Sequence, residues 1–125
     1  MAIQALSDIQ NLGGTSAFTV AGGSVTKGTA NLNFGVFPGV SDTSLAISGQ
    51  AGILSSSIVD AWIFPIATAD HSADEQMLEP IKIFAGNIIA GTGFTIYGFN
   101  TNQINEPSGG STRLYGLFSV AWSWS

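Results

Sequence analysis

The sequence predicts an all-β fold, an antiparallel β-sandwich of jelly-roll-like winding with one short helix, and three observations lead there. Glycine and other turn residues interrupt the 125-residue chain every few positions, 16 of them glycine, which leaves no room for long helical periodicity. Apolar and polar residues alternate with period two in several short segments, most plainly toward the carboxyl end. No regular exchange of strand and helix patterns asks for a parallel sheet. An immunoglobulin-like sandwich is disfavoured because its usual Cys, Trp, Cys spacing needs cysteines, and the chain has none.

Residues 1–14 read as an amino-terminal arm, with Ile3, Leu6, Ile9 and Leu12 at spacing three and Gly13-Gly14 as a stop. Residues 15–125 read as one β-sandwich domain without internal repeat or linker. Asn31 and Asn33 alternate with Leu32, Phe34 and Val36, so one strand face is buried before Pro38-Gly39 turns the chain. Leu45 and Ile47 share the next face, and Gly49-Gln50-Ala51-Gly52 marks a bend. The run from Ser57 to Ile66 is β-branched and aromatic, apolar on both faces, and predicts a strand near the middle of a sheet that ends near Pro65.

Between Asp70 and Glu79 the pattern changes. Ser72-Ala73-Asp74-Glu75 fits a capping box, so a turn or two of helix is expected, stopped by Pro80. Two β-prone runs follow, separated by Gly91-Thr92-Gly93, the strongest hairpin signal in the chain. A polar loop over Asn100 to Ser111 leads to the last strand. There Leu114, Gly116, Phe118, Val120, Trp122 and Trp124 share one face. At about 3.3 Å per residue this strand spans roughly 35 Å, the width of a domain of this size.

Only 9% of residues are charged, and Lys27, Lys82 and Arg113 stand singly against eight acids, a net charge of −5. Such a chain cannot neutralise a run of phosphates, so nucleic acid is not an expected partner. No apolar stretch approaches the roughly 18 residues of a spanning helix, and Met1-Ala2-Ile3-Gln4 lacks the charged start of an export signal. The expectation is a protein made in the cytoplasm, with no membrane partner.

Asp70, His71, Asp74 and Glu75 are of ligand type, yet their spacing matches neither HExxH nor an EF-hand, and a capped helix accounts for them. No G-x-S-x-G elbow accompanies the lone histidine, and Gly91-x-Gly93 is followed by no phosphate-binding helix. The chain is therefore expected to be no enzyme, with no catalytic residues, metal or cofactor; a small hydrolase around His71 is the least favoured reading.

The aromatics carry more weight. Trp62, Tyr115, Trp122 and Trp124 are the candidate interface or ligand platform. Trp122 and Trp124 lie two apart on one strand face, suited to stacking on a sugar ring, to extending the core, or to meeting another subunit. A surface of hydroxyl, amide and glycine suits assembly, so a homo-oligomer is expected.

The stretch Trp62-Ile-Phe-Pro-Ile-Ala-Thr-Ala-Asp-His-Ser-Ala-Asp-Glu75, followed by Gly86-Asn-Ile-Ile-Ala-Gly-Thr-Gly-Phe-Thr-Ile-Tyr97 in a cysteine-free, sparsely charged chain, resembles small virion structural proteins of tailed bacteriophages and prophages, particularly the head cement or decoration type. That resemblance implies a β-sandwich or jelly roll located in the virion, synthesised in the host cytoplasm, which as a dimer or trimer clamps the major capsid protein or other virion proteins. A carbohydrate-binding β-sandwich, as a receptor-binding or fibre-tip module, is the alternative.

Overall fold

Pairing between segments distant in sequence organises the computed structural model, which describes residues 25–101 and 113–125. Its elements are β1 (Thr26–Asn33), β2 (Asp42–Ile47), β3 (Val59–Ile63), α1 (Ala73–Leu78), β4 (Ile81–Ile89), β5 (Gly93–Asn100) and β6 (Leu117–Trp124). One antiparallel sheet has the order β1-β6-β3 and the other β2-β5-β4. The first described strand pairs with the last and the second with the fifth, and every connection but the β4–β5 hairpin crosses from one sheet to the other. Among the described residues this is a jelly-roll-like winding of six strands.

Period two decides which side chains meet between the sheets. Leu32, Phe118, Val120 and Trp122 point inward from one sheet, Phe94 and Ile96 from the other, and Phe34, Ile53 and Leu114 close the ends. Each large side chain removed from water this way contributes roughly 1.5–3 kcal/mol. Phe34 meets Phe118 edge-on, with ring centroids 5.4 Å apart. Gly98 sits opposite, where a side chain would collide with Leu32 and crowd Phe34; its lack of a Cβ lets the layers close.

The β4–β5 hairpin forms where expected, through Gly91 at φ 74°, with a register shift between Gly86 and Ile89 that accommodates Asn87 at φ 52°. Helix α1 starts on Ser72 with both capping-box bonds present.

Three expectations about strands need correction, and two others fall outside the described residues. The first strand begins five residues before Asn31 and stops at Asn33, whose Oδ1 accepts from the Gly35 amide at 2.8 Å. That local bond replaces the ladder, so Val36 is left 88% exposed instead of buried. The run from Ser57 to Ile66 supplies β3, an edge strand, while the middle of the sheet belongs to β6. Apolar character on both faces arises here from exposed outer aromatics and not from a second covering layer; Pro65, unable to donate to a ladder, is the residue that argues for the edge. The last strand is interrupted: Leu114 bridges Val40, Gly116 takes φ 79°, and the ladder resumes at Leu117. The arm at residues 1–14 and most of the polar loop lie outside the described residues.

Candidate functional site

The acidic segment serves the central strand. Beyond Phe64, whose amide donates to Ser119 O at 3.0 Å, the chain leaves the sheet and returns as side chains. Thr68 Oγ1 donates to Leu117 O and the Leu117 amide donates to Asp70 Oδ2, each at 2.8 Å. Further along, the Ser119 amide donates to Gln76 Oε1 at 2.8 Å while Gln76 Nε2 donates to Ile66 O at 2.7 Å. Gln76 is 1% exposed, so it acts as one rung of an absent strand, and the capped helix holds it in position. Asp70 passes so close to Gly116 that a Cβ there would lie 2.6 Å from the Asp70 Cβ.

His71 locks this latch from inside. Its ring is 4% exposed and stacks on Phe118 with centroids 4.3 Å apart. Nδ1 faces Glu75 Oε2 at 2.8 Å and Nε2 faces the Tyr115 carbonyl at 2.5 Å. Both partners accept, so the arrangement fits a ring with a proton on each nitrogen. Burial opposes that charge and is the largest single influence, but the Tyr115 carbonyl, the Glu75 carboxylate and the charge of Glu79 together outweigh it. The pKa is raised above the ordinary histidine value. Glu75 is lowered in turn, by its bond to His71 and by the Ser72 amide. With both nitrogens engaged, the imidazole has no free lone pair to offer a substrate or an ion. Among the described residues no group of three or more His, Cys, Asp or Glu side chains is placed to hold a metal.

The predicted aromatic platform is dispersed by the fold. Trp122 points into the core at 7% exposure, its ring edge-on to Phe94 at 5.4 Å and pressed against Gly28, where any side chain would collide with the indole. Trp124 is half-buried on the same inner face, and its Nε1 donates to Gln50 Oε1 at 2.9 Å. Trp122 and Trp124 therefore form no flat surface for a sugar, because the face they share is the one the second sheet covers. Tyr115 lies at the opposite end of the central strand, edge-on to Phe37.

Trp62 alone among the four stands on an outer face. It is 43% exposed, opposite Ala121 in the register, and together with Phe64 it lines an open groove of about 490 Å³ over β6 and β1. Ile66 is exposed just beyond them. A second apolar surface was not foreseen: Phe84, Tyr97 and Phe99 share the outer face of the β2-β5-β4 sheet, with Phe84 and Phe99 centroids 5.8 Å apart and Lys82 Nζ 5.3 Å from the Phe84 ring. Its signal was present in the hairpin, where Tyr97 and Phe99 alternate with the buried Phe94 and Ile96.

No family model, curated protein or solved structure matches this chain. Among the described residues no helix is long and apolar enough to cross a membrane.

Proposed function

We propose that the chain is a non-enzymatic virion structural protein, a cement or decoration protein that stabilises a tailed-phage head by contacting neighbouring capsid subunits. The observation that carries this reading is the exposure of large apolar side chains on the outer faces of both sheets, Trp62 and Phe64 on one and Phe84 and Tyr97 on the other. Half-exposed aromatics on a fixed scaffold are what a protein contact uses for adhesion. The sparsely charged exterior and the resemblance of the Trp62–Glu75 and Gly86–Tyr97 stretches support the same conclusion. Among the described residues, the cluster of ionisable side chains Asp70, His71 and Glu75, which would otherwise suggest chemistry, is occupied in fastening the α1 region to the start of β6.

The test is sedimentation of the full chain with purified tailed-phage heads, taken from a phage whose genome encodes the chain. Saturable recovery in the head pellet, with a raised head-melting temperature, is the expected outcome. A chain that stays in the supernatant and leaves head melting unchanged overturns the reading.

The surface of exposed Phe84 and Tyr97 with half-buried Phe99 beside them favours a second reading, a carbohydrate-binding module, since rings on a sheet face can stack against sugars. Retention on a glycan panel that disappears in Tyr97→Ala selects it.

A further inference from the structure

The outer face of the β1-β6-β3 sheet is complementary to itself. Its central row, Ser119, Ala121 and Ser123 of β6, consists of small side chains and forms a shallow floor. Along one side the register sets Asp60 beside Ser123 and Trp62 beside Ala121, and Phe64 follows beside Ser119. Along the other side Lys27 pairs with Ser123, Thr29 with Ala121 and Asn31 with Ser119. One flank is thus a ridge carrying an acid, and the other a trough carrying a base, matched row for row.

We propose that this face is the interface of a homodimer whose two-fold axis runs along β6. Rotation about such an axis exchanges the flanks and keeps the rows. Lys27 of each copy then lies over Asp60 of the other, and Trp62 descends onto Thr29 into the groove of about 490 Å³. Every contact occurs twice, as an isologous interface requires. Charge favours the same occupant. The chain carries a net −5, yet this face holds Lys27 and Asp60, one charge of each sign, so two copies meet here without the repulsion they feel elsewhere. A face three strands wide is small for a specific interface, so the dimer is concentration-dependent.

This inference goes beyond capsid binding and does not rest on it, because the purified chain alone tests it. Sedimentation equilibrium of the full-length protein across a wide concentration range should show a monomer–dimer equilibrium. Trp62→Ala should weaken it by about 30-fold, as a central aromatic contact does. Lys27→Glu alone, or Asp60→Lys alone, should weaken it by about 10-fold by setting like charges opposite one another. The double change K27E/D60K should restore the dimer to within about threefold of the native constant. That rescue separates contact across the interface from damage to the fold, which circular dichroism of each variant also reports. A monomer at all concentrations, a trimer, or a dimer indifferent to these substitutions overturns the proposal; because the dimer covers Trp62 and Phe64 and leaves Phe84 and Tyr97 of the other sheet open, none of these outcomes decides whether the chain binds heads.

Discussion

The two halves of β6 are held by different chemistry. From Val120 to Trp124 the strand has main-chain neighbours on both sides, Thr26–Ala30 of β1 and Val59–Ile63 of β3. From Leu117 to Ser119 it keeps β1 on one side, but on the other the Ser119 carbonyl retains one main-chain partner, the Phe64 amide, while Thr68, Asp70 and Gln76 supply side-chain oxygens where β3 has departed. A backbone ladder tolerates most changes of side chain, since every residue carries the same amide and carbonyl. A ladder of side chains depends on the identity of each rung. The fold therefore has one end that is robust to substitution and one that is specified residue by residue and linked to pH.

The largest effect should come where the halves share a core residue. Phe118 packs against Phe34 and under His71, so Phe118→Ala should cost about 3–5 kcal/mol in a urea-unfolding experiment and loosen both ends. Next comes the buried rung: Gln76→Ala leaves the Ser119 amide and the Ile66 carbonyl without their partner, for about 2–4 kcal/mol. Hydrogen exchange should then show Ser119 unprotected while Ala121 to Ser123 stay protected; uniform loss along β6 would break the distinction between the halves. Removing the cap with Ser72→Ala should cost about 1 kcal/mol, felt through the position of Gln76. As the contrasting case, Asn31→Ser on the outer surface of the backbone ladder should change stability by less than about 0.5 kcal/mol.

The pH dependence sharpens the comparison further. His71 has a raised pKa in the folded chain, so its contribution is fully present below the ordinary histidine value and is lost as pH rises through the raised folded value. Glu75 is lowered, so its contribution is present above the ordinary carboxylate range and is lost as pH falls through the depressed folded value. The latch is accordingly tightest in mildly acidic solution. Melting temperature should decline from pH 6 toward pH 9, and His71→Gln should flatten that decline. A native profile that does not fall over this range would show that the doubly bonded ring does not carry the charge.

Local information in the sequence was enough for the all-β class, the capped helix, the Gly91 hairpin and the period-two alternation of the last strand. Each follows from the steric preference of a few adjacent residues or from a period-two pattern written in one segment, and Ser72 with Glu75 is legible without any neighbour. The destinations of those faces were decided by tertiary packing. Alternation says that Trp122 and Trp124 point the same way and that Trp62 points away from Ile63, but it does not say which side receives the second sheet. Burial of Trp122, exposure of Trp62 and the conversion of Gln76, Asp70 and Thr68 into an edge for β6 all depend on pairings across more than 40 residues of chain. Those pairings form because the whole apolar face of β6 must leave water at once, and no single segment of the sequence contains that requirement.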